Sequence, residues 1–329
     1  MDTIQFMSLG ILALFLQVSM LLYLRLARKF SIQDVPNARS SHSGVIPRGG
    51  GIVFLLAALI WGVTYPKASP FFLAGISLVG LVGFWDDLKS LSWSFRMLAQ
   101  LISILLLFMG LEILQFSVPF IEHHWWKLLI LLIMGVGVLN AYNFMDGING
   151  MIGLGSVVVL SSLMYVNYAV YPFVQDQLIL YPLIAALIFL IFNFRKRALC
   201  FSGDVGAMVV AYWTFFLIVY LCLQTGSWVW FGFILLFGVD TGLTILHRLV
   251  LRQKLWEAHR LHLYQVLSNE MKVPQLAVSS LYAVLQLLMN LVIIQYWYRY
   301  SWWMILALLF VPLAIIYAYK FRFLKRHSN

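Results

Sequence analysis

Apolar residues run through this chain in long blocks separated by short polar stretches. A window of about 19 residues, the reach of a helix across a bilayer, marks eleven such blocks. They lie at about 4–26, 51–66, 70–86, 96–116, 125–142, 151–171, 177–194, 207–224, 227–247, 274–296 and 301–320. The second and third are short and are joined by Tyr65-Pro66-Lys67-Ala68-Ser69-Pro70, so they read as one hairpin with tilted arms. The first, Ile4 to Leu24, has no basic segment before it and no cleavage signal, and reads as a retained span rather than a signal peptide.

Composition agrees with lipid as the solvent. Of 329 residues 63% are hydrophobic and only 10% charged, with a mean hydropathy of +0.91, whereas a soluble domain is about half apolar and about a quarter charged. The expected fold class is an all-α integral membrane protein with about eleven transmembrane helices, ten being the alternative count, in one polytopic membrane domain over residues 1–329. Lysine and arginine set its orientation: 19 of the 22 fall on one set of connections, leaving Lys67, Lys127 and Arg299 on the other. The positive-inside rule makes the rich side cytoplasmic, with the N-terminus outside and the C-terminus inside. The cytoplasmic loops are then about 27–50, 86–95, 143–150, 195–206 and 248–273. The net charge of +10 needs no nucleic acid as partner, since topology and anionic membrane lipid account for it. Cys200 and Cys222 offer neither a disulfide framework nor metal-ligand spacing.

Only twelve carboxylates are present, so their positions carry information. Asp86 and Asp87 close the third block, Asp146 follows the fifth and Asp204 precedes the eighth, all at the same predicted face. Two carboxylates about 4 Å apart repel by a few kcal/mol at an effective dielectric near 20. A divalent cation removes that cost, and Mg²⁺ favours one or two carboxylates with substrate phosphates. The plain alternative is a set of unrelated solvated loop acids. Around Asp146 the sequence runs Asn140-Ala-Tyr-Asn143-Phe-Met-Asp146-Gly147-Ile-Asn149-Gly150, where a continued helix puts Asn143 and Asp146 on one face. Its Asp-Gly and Asn-Gly pairs are also ordinary turn formers. Phe201-Ser-Gly203-Asp204-Val-Gly206 follows the basic trio Arg195-Lys196-Arg197, which serves equally as a membrane anchor. Pro47-Arg48-Gly49-Gly50-Gly51 opens the second block with the residues of an anion cradle. The last long connection reads His247-Arg248, Arg252-Gln-Lys254, then His259-Arg260-Leu-His262-Leu-Tyr264-Gln265. On a helix His259 and His262 share a face, and Arg260 and Tyr264 share another. Arginine, lysine and histidine together suit oxyanions better than zinc here, and a solvated basic loop is the neutral reading.

Taken together, Pro47 to Gly51, Asp86-Asp87, Asn140 to Gly150, Phe201 to Gly206 and His259 to Gln265 stand in the order found in one family. The chain resembles the polyprenyl-phosphate N-acetylhexosamine-1-phosphate transferases, glycosyltransferase family 4, relatives of phospho-N-acetylmuramoyl-pentapeptide transferase. The last block lacks the three consecutive histidines of the muramoyl-pentapeptide enzymes and looks like the branch that starts O-antigen and related bacterial surface polysaccharides. The resemblance implies a UDP-N-acetylhexosamine donor, an undecaprenyl phosphate acceptor, Mg²⁺ (Mn²⁺ as the alternative) and a multi-pass protein of the bacterial inner membrane; association as a homodimer is compatible with it. It further implies that Asp204 binds the metal and that Asp86 and Asp87 share the metal or deprotonate the lipid phosphate. By the same resemblance Asn140, Asn143, Asp146, Gly147 and Asn149 form the nucleotide-binding and catalytic stretch, and Phe201 stacks on uracil. Arg48, Arg252, His259, Arg260 and His262 would bind the donor.

A transporter or lipid flippase is the rival class, and a noncatalytic polysaccharide-assembly scaffold is another. Transporters place ionisable groups near the bilayer midplane, whereas these acids gather at one face. Asp240 is the exception, about two turns inside the ninth block. It is a functional residue by default or half of a structural ion pair.

Overall fold

The computed structural model describes residues 3–35, 44–65, 68–113, 125–254 and 260–327. Helices occupy almost all of it: α1 (Thr3–Lys29), α2 (Ile52–Thr64), α3 (Pro70–Leu88), α4 (Trp93–Ile113), α5 (Trp125–Met145) and α6 (Met151–Tyr165) come first. They are followed by α7 (Asp176–Asn193), α8 (Gly203–Thr225), α9 (Leu235–Val250), the single turn α10 (Leu263–Gln265), α11 (Gln275–Tyr296) and α12 (Trp302–His327). Strands β1 (Gln33–Asp34) and β2 (Ile46–Pro47) form a small antiparallel pair, Gln33 opposite Pro47 and Asp34 opposite Ile46. Among the described residues ten helical segments are long and apolar enough to cross a membrane.

The protein is therefore an all-α integral membrane protein. Its count differs from the eleven blocks at one place. The second block folds as α2, only 13 residues long, or about 20 Å at 1.5 Å per residue. Trp61 meets Trp213 at 6.3 Å and Phe72 meets Phe216 at 4.6 Å between ring centroids. Phe216 stands nine residues before the end of α8, so Phe72, near the start of α3, packs about 13 Å short of the far end of that helix. A cavity of about 390 Å³ lies beside Phe72, with Trp61, Tyr65, Phe173 and Tyr220 also in its walls.

Helix α8 is the axis of the fold, packed against α2, α3, α4, α5 and α6. Its apolar side chains, Val205 through Leu221, are almost all fully enclosed. In contrast α1, α4 and α12 present Phe6, Leu98, Leu308 and many similar residues outward, as lipid-facing helices do. Irregular backbone inside the bilayer has to be satisfied by protein. The tight turns Trp228–Ile234 before α9 show how. Gln286 accepts from Leu236 N and donates to Gly232 O and Asn290, and Asn290 donates to Ser162.

Three of the boundaries that move relative to the sequence reading bear on the acids and their neighbours. Helix α8 begins at Gly203, which puts Asp204 in its first turn rather than before it. Helix α3 continues through Asp86 and Asp87 to Leu88, and α5 continues to Met145, making Asn143 helical.

Candidate active site

The four acids singled out above do come together. Asp86 and Asp87 end α3, Asp204 opens α8, and Asp146 sits directly after α5. Arg48 spans two of them, with Nε 2.7 Å from Asp87 Oδ1 and a terminal nitrogen 2.7 Å from Asp204 Oδ1. Arg96, in the first turn of α4, spans a second pair, lying 3.0 Å from Asp86 Oδ2 and 3.1 Å from Asp204 Oδ2. Asn143 also reaches the Asp204 carboxylate. Asp204 is thus the hub of the cluster.

Local backbone explains why these groups can meet. Asp87 accepts from the amides of Asp204 and Val205 at 2.9 and 3.2 Å, filling the acceptor role that unpaired amides at a helix start require. The side chain is wholly enclosed. Gly203 makes the approach feasible: its φ is +70°, and a Cβ there would overlap the Asp87 carboxylate. Arg48 is held at its backbone, its carbonyl accepting from Tyr23 Oη at 2.5 Å. The next residues pair with the loop before α8, Gly50 N to Phe201 O and Gly51 N to Ser202 O at 2.8 and 2.9 Å. Phe201 N in turn donates to Pro47 O. Asp86 accepts from Leu91 N at 2.6 Å, and Asp146 accepts from Ser202 Oγ.

Burial pushes the Asp146 carboxyl up to about 8, against the pull of the Ser202 hydrogen bond and the Arg48 charge. For Arg48 burial opposes the charge, but Asp87 and Asp204 outweigh it and keep the guanidinium protonated. Burial, helped by Asp146, raises the Cys200 thiol to about 12, which leaves it an inert packing residue.

The donor set suits a hard cation. It consists of carboxylate oxygens with an amide and a hydroxyl beside them, and the acids outnumber the two arginines. No three metal-binding side chains converge into a ready cage among the described residues. That is compatible with Mg²⁺, which takes few protein ligands and completes its shell with water and phosphate.

The remaining sequence-predicted residues divide. A cavity of about 860 Å³ opens beside β2, with Asn149, Lys196, Arg197, Arg260, Lys272 and Gln275 among its walls. Asn149 is fixed there by its bonds to Arg195 O and Gln275. Asn140 instead donates to Gln100 and Val136 O, a contact between α5 and α4 rather than part of the cluster. Gly147 abuts Tyr264. Arg252 is exposed, and His259 lies outside the described residues. His262 departs most from expectation: it is 2% exposed and faces Asp240. The helical pairing of Arg260 with Tyr264 does not form, because the helix starts only at Leu263. Arg96 and Ser202 were not among the predicted site residues. A lone arginine ten positions after an acid pair was the available signal for the first.

Residues 69–222 match the family model described as glycosyl transferase family 4. Residues 69–222, a little under half of the chain, are thus similar to glycosyl transferase family 4. Asp86, Asp87, Arg96, Asp146 and Asp204 all lie within that family 4 segment, while Arg48 and the 260–265 segment lie outside it. The chain is 28% identical over 197 residues to a probable undecaprenyl-phosphate N-acetylglucosaminyl 1-phosphate transferase of Bacillus subtilis, covering 57% of this chain and 55% of that one. It is 30% identical over 176 residues to a phospho-N-acetylmuramoyl-pentapeptide-transferase of Thermotoga maritima, covering 50% and 57%. With the undecaprenyl-phosphate alpha-N-acetylglucosaminyl 1-phosphate transferase of Escherichia coli it shares 26% over 236 residues, 66% and 62% of the two chains. The match thus spans little more than half the length of these curated relatives.

Proposed function

We propose that this protein transfers N-acetylhexosamine-1-phosphate from a UDP-sugar to undecaprenyl phosphate, releasing UMP. The product is undecaprenyl-diphosphate-sugar, the first membrane intermediate of O-antigen or a related surface polysaccharide, made at the bacterial cytoplasmic membrane. One observation carries the reading: two arginines bridge three carboxylates, Asp86, Asp87 and Asp204, at the ends of membrane helices, with Asp146 bonded to Ser202 beside them. A basic cavity opens at the same face. A lipid phosphate can arrive there from the bilayer and a sugar nucleotide from water. The relatives' names support undecaprenyl phosphate as acceptor and an N-acetylhexosaminyl 1-phosphate as the group transferred.

In the proposed reaction an oxygen of the lipid phosphate attacks the β-phosphorus of the donor. The bond from that phosphorus to the bridging oxygen breaks, and UMP leaves with the electron pair. Arg48 and Arg96 steady the phosphoryl oxygens. Asp204, paired with both arginines, and Asp86, paired with Arg96, are the side chains that would hold Mg²⁺, with Asp87 behind them as the brace of α8 and Arg48. When bound, the ion neutralises the diphosphate and the charge on the leaving group. Arg260, Lys196 and Arg197 face the donor's nucleotide diphosphate from the cavity, and Phe201 is the stacking partner for uracil. The donor sugar is an N-acetylhexosamine, with deoxy forms such as N-acetylfucosamine and N-acetylquinovosamine in the test set.

The test uses purified protein in detergent with undecaprenyl phosphate and a panel of UDP-N-acetylhexosamines, following UMP with Mg²⁺ and with chelator. Magnesium-dependent release from one donor is expected and identifies the sugar. Absence of release from every donor, by protein shown to be folded, overturns the proposal and leaves lipid transport as the reading to test.

A further inference from the structure

Asp240 lies in α9, ten residues before its end, and is 2% exposed. A carboxylate at such a position is costly unless its surroundings compensate it. Here the compensation comes chiefly from another segment. Oδ1 accepts from Leu263 N at 2.8 Å and Oδ2 from Tyr264 N at 3.3 Å. Tyr282 Oη of α11 donates to Oδ2 at 2.8 Å, Thr244 Oγ1 donates to Oδ1 at 3.4 Å, and His262 Nδ1 lies 3.5 Å away. Asp240 therefore receives the free amides that open α10, the position at which a helix start favours negative charge.

The same segment is gripped from its other side. Lys320 of α12, 1% exposed, donates to Leu261 O and lies 2.5 Å from Tyr317 Oη. Tyr317 Oη and Thr244 Oγ1 are 2.8 Å apart, which returns the chain of contacts to Asp240. The backbone on both sides of His262 is thus fixed by groups from α9 and α12.

What the gripped segment touches is the active site. Tyr264 Oη donates to Phe144 O at 2.7 Å, and its ring sits where any side chain on Gly147 would have to go. The His262 ring packs on Phe144 and Tyr264, at 5.9 and 5.7 Å between centroids. Residues 143 to 147 form the turn that carries Asn143 and Asp146, and these reach Asp204 and Ser202. A shift in α10 is transmitted through Tyr264 to that turn within one or two residues of the groups that bond to Asp204 and Ser202.

We propose that Asp240 is a positioning residue for phosphoryl transfer: it anchors α10 so that Tyr264 locks the Asn143–Gly147 turn in its working geometry. This rests on the transferase reading above. Asp240 itself touches no substrate in this scheme.

The test compares Asp240→Asn, Asp240→Glu and Tyr264→Phe in the full-length detergent-solubilised protein, by UMP-release kinetics and by hydrogen exchange of segments 140–150 and 260–265. Tyr264→Phe removes one hydroxyl and keeps the ring, so it remains informative if an Asp240 variant folds poorly. Small misplacements of reacting groups cost up to about 100-fold, so Asp240→Asn and Tyr264→Phe are expected to lower kcat about 10- to 100-fold while the donor KM stays close to wild type. Asp240→Glu, which keeps the charge, recovers part of kcat. The double variant is no worse than the poorer single one, because both act through one linkage. Faster exchange of 140–150 in Asp240→Asn accompanies the loss. Wild-type kcat in the folded single variants, or losses that multiply in the double variant, overturns the proposal. If the wild type itself turns over no donor, the transferase reading fails; the exchange of 140–150 still decides whether Asp240 anchors the turn.

Discussion

Arg48 offers the sharpest test of how the cluster is built. Its fork joins two carboxylates from different helices, 2.7 Å to each. Lysine at this position keeps the charge but has a single ammonium, which cannot reproduce two directed bonds from one plane. Arg48→Lys therefore removes one charge-assisted hydrogen bond, worth about 1.5–3 kcal/mol. The side chain is 34% exposed, so solvent screening favours the lower end, about 1.5–2 kcal/mol. At about 1.4 kcal/mol per factor of ten, the expected loss in kcat/KM is roughly 10- to 30-fold. Folding should suffer less, because Asp87 retains two amide donors from α8. The assay pairs UMP-release kinetics with thermal unfolding of the same detergent preparations. An Arg48→Lys protein with unchanged kcat/KM would refute the bridging argument, since it would mean that charge alone, without the fork, is sufficient.

Further expectations concern other parts of the molecule. Gly147→Ala places a methyl group against the Tyr264 hydroxyl and should lower both Tm and activity; adding Tyr264→Phe should restore part of the Tm, and no recovery would argue against that contact. The Asp146 carboxyl, raised to about 8 from about 3.9 in an unfolded chain, keeps its proton in the folded state across that interval. In the presence of chelator Tm should therefore decline as pH rises from 4 to 8 and level off above, and Asp146→Asn should flatten this slope; a slope unchanged in the variant contradicts the assignment. Gln286→Leu strips the partners from Leu236 N and Gly232 O and should cost about 1–3 kcal/mol per buried group left unpaired, visible as a lower Tm with an unaltered donor KM. Chelation should abolish turnover, and Mg²⁺ or Mn²⁺ should restore it where Ca²⁺, with its longer and looser coordination, does so poorly.

Much of this arrangement was legible in the sequence, and the rest was hidden for identifiable reasons. Asp86, Asp87, Asp146 and Asp204 could be assigned to one face because hydropathy fixes which block ends share a side. Arg96 was read as an inside anchor, and nothing in its immediate neighbours marks it as a bridge between Asp86 and Asp204, which is 108 residues away. His262 looked like a phosphate ligand because histidine beside arginine favours anions, yet its burial depends on a carboxylate on another helix. Asp240 was ambiguous for the same reason, since two of its partners are backbone amides 23 and 24 residues on, and amides leave no trace in side-chain patterns. The shortness of the second block was visible in the sequence, where it already suggested a hairpin with the third; only the structure gives α2 its 13 residues.

The α2–α3 hairpin bears on how the whole chain is threaded. Long apolar helices alone number ten among the described residues, an even count that would return the end of α12 to the side where α1 begins. Yet Gly50 and Gly51 before α2 and Asp87 at the end of α3 all bond to the same short stretch around the start of α8. The hairpin therefore leaves and re-enters by one face, whether or not its tip penetrates the opposite leaflet. Counted as two passes or as none, it leaves the parity odd, so the start of α1 and the end of α12 are expected on opposite sides of the bilayer. Reporter fusions at the two ends should give opposite signals.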